Sequence, residues 1–442
     1  MMLFHNSLAH KKPIYGRFFI AETTLPVVAF LVTCIAASLS AIASERPNEE
    51  LSMQTAIAQS LNRHPDLASF SYRIRSAEGN IQQAAVREKP VLSLALEDAF
   101  GTGDYSGFDN AQSTLSISWI LDKKLVQRRI GKYQTEKSLI DIESEIKIYD
   151  IAAQTAHAFF AVLALQERLI IANKARQHAK NILADVGKRV NIGKAPAADQ
   201  LRAEVNLEHR ELELEDIAHE LKSAKIILAS MWGATDVNFS LVSGSLNIAQ
   251  QIIAYDELET AIQSNPEIRH FLTQQRLAES EIALAREEAK NRPRLNTGIR
   301  RYESTEDYGM TFEVSLPMGK TSRNQGRISA LTADQDRYQA DSKAKEIQLL
   351  TKVFVLYQEL KHSYHINTAL ERKIIPRLEE ALQETYKAYQ QGRYGYQEWS
   401  VVQQEVLDAQ LALVQTRLTA HNNTIELERL TGLPLLRNHA TP

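Results

Sequence analysis

Asn62-Arg63-His64-Pro65-Asp66-Leu67 returns about 200 positions later as Ser264-Asn265-Pro266-Glu267-Ile268, and that recurrence decides the fold. Three more landmarks hold nearly the same offset. Arg128-Arg129-Ile130 returns as Gly326-Arg327-Ile328, and Val190-Asn191-Ile192-Gly193 as Tyr389-Gln390-Gln391-Gly392. Leu228 to Gly233 returns near Glu428 to Gly432. Residues 51–233 and 258–432 are therefore one unit written twice. The implied division is 1–43 as a leader, 44–245 as the first repeat and 246–442 as the second.

Each repeat reads helix, two strands, long helix, turn, long helix. Lys132–Val186 and Ala197–Trp232 contain neither glycine nor proline, and the same holds for Arg327–Ile375 and Tyr396–Thr431. Apolar residues recur at three- and four-residue steps, as in Ile148, Ile151, Ala152, Thr155, Phe159, Val162 and Leu163, which is helical spacing. Roughly 60 residues from Arg129 to Gly187 would span on the order of 90 Å at the helical rise. Such lengths point to coiled-coil-like packing rather than to a compact core.

Four segments between the helices alternate instead. Leu92, Leu94 and Leu96 alternate with Ser93, Ala95 and Glu97, and Leu115, Ile117, Trp119 and Leu121 with Thr114, Ser116 and Ser118. In the second repeat Leu295, Thr297 and Ile299 face Asn296, Gly298 and Arg300, and Met310, Phe312, Val314 and Leu316 face Thr311, Glu313 and Ser315. Each reads as a strand of about 9–10 residues with one apolar face, a length that crosses a bilayer when tilted. Two half-buried hairpins on a soluble domain would give the same alternation. Leu94, Ile117, Ile299 and Phe312 are expected on the apolar side, with Ser93, Ser116, Arg300 and Thr311 on the polar side.

The 442 residues are 44% apolar and 24% charged, with a formal net charge of −3, which favours no nucleic-acid partner. Seventeen glycines and twelve prolines favour long helices over loops. Lys11, Lys12 and Arg17 precede an apolar run from Leu25 to Ala43 that closes on Ala41-Ile42-Ala43. That is the layout of a secretory signal peptide cleaved after Ala43, with Ala41 and Ala43 at the small-residue positions; an uncleaved anchor is the alternative. The single cysteine, Cys34, lies inside the run, where Leu31-Val32-Thr33-Cys34 faintly resembles a lipoprotein signal. Cleavage after Ala43 would leave a mature chain without thiol chemistry. No later segment approaches 18 apolar residues, so no transmembrane helix is expected after export.

In an exported chain, four amphipathic strands cannot close a barrel alone, because lipid tolerates no open edges. Two copies would give eight strands, whose lumen fills with side chains, and three would give twelve, wide enough for a passage. The strand count argues for a trimer.

Here the chain resembles the TolC-type outer-membrane efflux proteins over essentially its whole mature length. The resembling residues are the Asn265-Pro266-Glu267-Ile268 opening, the alanines 278, 283, 285 and 289 of the following helix, and Arg292-Pro293-Arg294-Leu295. Ser315-Leu316-Pro317, Tyr389-Gln390-Gln391-Gly392 and Leu430-Thr431-Gly432 belong with them. The resemblance implies a mainly α chain whose homotrimer forms a twelve-stranded barrel in outer-membrane lipid. It also implies an α-helical periplasmic tunnel docked on a membrane-fusion adaptor and an inner-membrane RND-type pump. Asp122-Lys123-Lys124-Leu125-Val126-Gln127-Arg128-Arg129 looks like the strand exit of the cobalt–zinc–cadmium subgroup, which implies heavy-metal cargo. Trp119 against Pro317, and Pro376 without a counterpart near Gln177, depart from the repeat symmetry. Drug efflux or type I protein secretion is the alternative cargo class, and a periplasmic structural coiled coil the alternative of another kind.

Nothing in the sequence assembles a catalytic or cofactor site. His362 and His365 are one helical turn apart, with no third ligand nearby in sequence; the six methionines form no ladder. Glu143, Glu145, Glu211, Glu213 and Glu215 read as solvated helix faces. Two regions invite a functional reading. Gly193-Lys194-Ala195-Pro196 and Gly392-Arg393-Tyr394-Gly395 are helix–helix turns whose glycines satisfy turn chemistry alone. Family resemblance assigns Lys194 and Arg393 to the adaptor. Glu379, Glu380 and Glu384 precede the second turn, and three-fold symmetry would make an acidic aperture ring of any that face inward. A solvated outer face is the other reading.

Overall fold

The computed structural model describes residues 48–248, 253–319 and 321–434; the expected leader, with Cys34, Ala41 and Ala43, lies outside them. The chain divides into Met1–Asn48 and Glu49–Pro442, and the elements below belong to the second unit apart from the first residue of β1. The first repeat runs β1 (Asn48–Ser52), α1 (Met53–Arg63), α2 (Pro65–Ala84), β2 (Val91–Glu97), β3 (Gln112–Ile120), α3 (Lys123–Asn191), α4 (Ala197–Ser230) and β4 (Phe239–Ser243). The second runs α5 (Tyr255–Ile262), α6 (Pro266–Glu288), β5 (Arg294–Tyr302), β6 (Tyr308–Ser315), α7 (Gln325–Ala369), α8 (Ile375–Gln390) and α9 (Tyr396–Thr431).

The repeat is built from the same local chemistry twice. The His64 Nδ1 accepts from the Asp66 N–H at 3.1 Å, and Asn265 Oδ1 accepts from the Glu267 N–H at 2.7 Å. Each cap precedes a proline, whose fixed φ and missing donor suit a first helical turn. At the far end of each repeat a glycine adopts the left-handed region, Gly233 at φ +75 and Gly432 at φ +71, where a β-carbon would be strained.

The repeats differ where Pro376 falls. In α3 the helix runs 69 residues without interruption, about 100 Å at the helical rise. In the second repeat a five-residue π turn, Leu370–Ile374, separates α7 from α8. A proline ring collides with the carbonyl four residues back and offers no N–H, so the helix widens locally instead of breaking. Arg417 of α9 braces the wider turn, with Nε donating to Asn367 Oδ1 at 3.0 Å and Nη2 to Glu371 Oε1 at 2.7 Å.

Both hairpins join one four-stranded antiparallel sheet in the order β2-β3-β5-β6, and β1 pairs with β4 in a separate two-stranded sheet. The register settles the faces. Leu92–Ile117–Thr297–Phe312 and Leu94–Leu115–Ile299–Met310 form cross-strand rows on one side. Ser93–Ser116–Gly298–Thr311 and Ala95–Thr114–Arg300–Gly309 form rows on the other. The expected sidedness of Leu94, Ile117, Ile299, Phe312, Ser93, Ser116, Arg300 and Thr311 agrees with these rows. The apolar side is uncovered, with Leu94 78% and Phe312 75% exposed. Gly298 is required by packing, since a β-carbon there would stand 2.7 Å from the Leu115 carbonyl oxygen and from Ser116 Cβ.

The strands are shorter than expected. β2 has seven residues and β6 eight, with nine in β3 and β5. Pro90 offers no N–H before β2, and Asp98, at φ +56, turns the chain away after Glu97. Pro317 stops β6 at its other end; Leu316 lies past Ser315, and Leu121 past Ile120, the last residue of β3.

Apolar burial is divided into clusters along the helices. One gathers Phe159, Val162 and Leu163 of α3 with Leu228, Trp232 and Phe239; a second gathers Leu258, Ile262, Val353, Leu427 and Leu430. A third lies at the helical turns, around Ile182, Val186, Tyr389, Tyr396 and Trp399. One 18-residue window of α3 is apolar and long enough to cross a membrane, yet half of it is buried within the protein. Phe159, Val162 and Leu163 spend their apolar surface on the core, as a core helix does.

Candidate functional site

Gly193 and Gly392 end α3 and α8 in the same conformation, at φ +72 and φ +74. The Gly193 N–H donates to the Val190 carbonyl at 2.9 Å and the Lys194 N–H to the Arg189 carbonyl at 2.8 Å. In the second turn the Gly392 N–H donates to Tyr389 O at 3.0 Å and the Arg393 N–H to Ala388 O at 2.9 Å. These pairs close the last helical carbonyls in the usual glycine cap. Pro196 and Gly395 then occupy equivalent cap positions before α4 and α9, and Glu398 Oε2 accepts from the Gly395 N–H at 3.0 Å.

The two turns lie side by side because Arg189 ties them. Its guanidinium donates to the Tyr389 carbonyl at 2.8 Å and the Gln390 carbonyl at 2.9 Å, and sits 4.3 Å over the Tyr389 ring. Trp399 stacks on Tyr389 at 5.0 Å and lies 4.9 Å from Tyr386. Burial pushes the Tyr389 and Tyr396 phenols above their ordinary range. Lys194, Arg393 and Tyr394 remain exposed and Ala195 half-buried. Sequence reasoning missed Arg189 and the aromatic cluster. The signal available was the density of aromatics around the second turn: Tyr386, Tyr389, Tyr394, Tyr396 and Trp399.

The three glutamates do not form one cluster. Glu380 pairs with Arg377 at 2.8 Å and Glu384 with Lys387 at 2.6 Å. The Lys387 hydrogen bond holds the Glu384 carboxyl below its ordinary value. Glu379 instead lines a groove of about 880 Å³ between α3, α4, α8 and α9, together with His178, Asp185 and Arg202.

A polar network joins the repeats further along the helices. His157 of α3 meets Asn422 Oδ1 at 2.8 Å through Nδ1 and Glu426 Oε1 at 3.4 Å through Nε2. Lys352 of α7 reaches Glu426 at 2.9 Å, and Arg429 joins Glu426, Asp150 and Glu267, the last also paired with Lys345. The His157 hydrogen bond, against burial, and then Lys352 and Arg429 hold the Glu426 carboxyl far below the carboxylate range. Burial opposes charge on His157, but its bonds to Glu426 and Asn422 outweigh it and raise its pKa above 6.5. A raised folded-state value stabilises the fold fully below the unfolded value, and that contribution fades as pH rises through the folded value. Thermal midpoints measured between about pH 6 and 8 are expected to fall with rising pH in the wild type. In His157→Gln that slope should flatten, and an unchanged slope would remove the imidazolium from the account.

Among the described residues no group of three or more histidine, cysteine or carboxylate side chains is placed to hold a metal ion. His362 and His365 are exposed on α7.

A family model described as "Outer membrane efflux protein" matches residues 56–234 and 258–433, one match in each repeat. The cobalt-zinc-cadmium resistance protein CzcC of Cupriavidus metallidurans is 25% identical over 370 residues, covering 83% of this chain and 85% of that protein. Among solved structures, CusC superposes with a TM-score of 0.68 at 16% identity, over 87% of this chain and 93% of its own. VceC, an outer membrane protein of Vibrio cholerae, gives 0.68 at 18% identity, over 86% and 96%. These two likenesses establish the fold.

Proposed function

This chain belongs to the outer membrane efflux protein family, matched along both repeats, and on that premise we propose how its parts divide the work. It is a channel subunit rather than an enzyme. Three copies close a single twelve-stranded barrel, four strands from each. Within the four-stranded sheet β2 and β6 each have one neighbour, and open backbone groups in lipid are costly, so β6 of one copy pairs with β2 of the next. The observation that carries this reading is the uncovered apolar side, where Leu92, Leu94, Met310 and Phe312 are all mostly exposed. Such a face is a liability in water and suits lipid.

The helices leave the sheet at one end, since α3 follows β3 and α6 precedes β5. They continue as a periplasmic tunnel whose turns, with Lys194 and Arg393, meet the adaptor's helices, with a pump of the RND type beyond them in the inner membrane. In the trimer Glu379, which among the described residues has no ion-pair partner while Glu380 and Glu384 are paired, is the strongest member of the acidic set for an aperture role. Passage is passive, with energy supplied by the inner-membrane partner.

The cargo we propose is a divalent heavy-metal cation, supported by the similarity to CzcC. Cells deprived of this chain should retain cobalt, zinc and cadmium and lose tolerance to them, and re-expression should restore both. Unchanged metal retention together with raised drug sensitivity would assign the duct to drug efflux instead.

A further inference from the structure

At the end of the sheet away from the helices, the polar face carries a guanidinium whose three nitrogens each donate to a partner. Arg300 Nε donates to Thr114 Oγ1 at 2.9 Å, Nη1 to Gln112 Oε1 at 2.9 Å and Nη2 to Glu97 Oε2 at 2.7 Å. Gln112 in turn donates from Nε2 to Asp98 Oδ2 at 2.8 Å. The set spans three strands, because Thr114 stands opposite Arg300 and Gln112 opposite Glu97. The other charges in the paired rows of this face are Arg294 and Glu313, near the helical end, where Glu313 accepts from Asn296 at 3.3 Å. Six residues of strand separate Arg300 from Arg294, roughly 20 Å, beyond the screening length of about 10 Å at 0.1 M salt. The clamp, with two carboxylates and one guanidinium per chain, is thus separate from the helical end; the loops beyond it add Asp104, Asp109, Glu306 and Asp307, and Arg301 pairs with Glu303 at 3.0 Å.

We infer that Arg300 is a specificity-determining residue of the outer mouth, where by pairing with Glu97 it limits the negative charge presented to a departing cation. This rests on the polar face lining the lumen. Three-fold symmetry multiplies the arrangement, so at the level of the clamp three carboxylates are left uncompensated, and without Arg300 there would be six. Conduction needs a site that attracts a cation yet lets it leave, and a ring of six carboxylates would hold a polyvalent cation at the exit.

The test is side-specific block of single pores made from the purified complex in a planar bilayer at about 0.1 M KCl, with spermine added only on the outer side. Arg300→Gln is expected to be blocked at about tenfold lower spermine than wild type, the scale on which charged clefts concentrate counter-ions. Glu97→Gln should need more spermine than wild type. The Glu97→Gln, Arg300→Gln double variant, which restores the net charge without the clamp, should return to wild-type sensitivity. Wild-type sensitivity in both single variants overturns the inference, as does a double variant as sensitive as Arg300→Gln, which would make the clamp merely structural. If Arg300→Gln does not assemble, Glu97→Gln against wild type decides alone.

Discussion

Ile117→Lys is expected to eliminate the assembled form from the outer-membrane fraction, whereas Ser116→Lys leaves it near wild-type yield. The two residues are adjacent on β3 but lie in rows on opposite faces, Leu92–Ile117–Thr297–Phe312 and Ser93–Ser116–Gly298–Thr311. A lysine on the lipid side near the bilayer midplane costs about 2–4 kcal/mol per chain, and a lumen-side lysine keeps its water. In the proposed barrel of three chains that cost would be incurred three times. Heat-dependent gel mobility of extracted membranes reads the assembled fraction directly. Equal yields of both variants would mean that the hairpins are not membrane strands.

The second large effect is expected at the turns. Lys194→Glu combined with Arg393→Glu should abolish efflux and adaptor cross-linking while export and complex mass stay normal. Neither side chain is tied into an ion pair among the described residues. Each follows a glycine whose left-handed backbone and cap bonds do not involve the basic side chain. Exposed loop changes of this kind usually alter stability by no more than about 0.5 kcal/mol, while like-charge contact at an interface costs several. Normal cross-linking and normal metal tolerance in the double variant would reduce the basic residues to turn decoration.

The sequence made the repeat legible because its punctuation is local. His64-Pro65 and Asn265-Pro266 cap helices through their own side chains, and Gly193 and Gly392 satisfy helix ends within five residues. Strand sidedness was legible for the same reason, since alternation puts Ile117 and Ser116 on opposite faces whatever their neighbours. Strand order was not. The β3–β5 pairing joins residues such as Thr114 and Arg300, 186 positions apart, and no local pattern encodes which hairpin edges meet. The strands β1 and β4, of five residues each, are too short for alternation to stand out. Pro376 was visible as a breach of symmetry, but its accommodation by a π turn depends on Arg417 from another helix. The facing of Glu379 against Glu380 and Glu384 likewise depends on the packing of α8 against α9, which periodicity alone leaves open.

The most direct test of the account is the native mass of the complex extracted from outer membranes in detergent. The account predicts three copies of the chain in one particle, obtained only with detergent. A monomer released into buffer without detergent would contradict it.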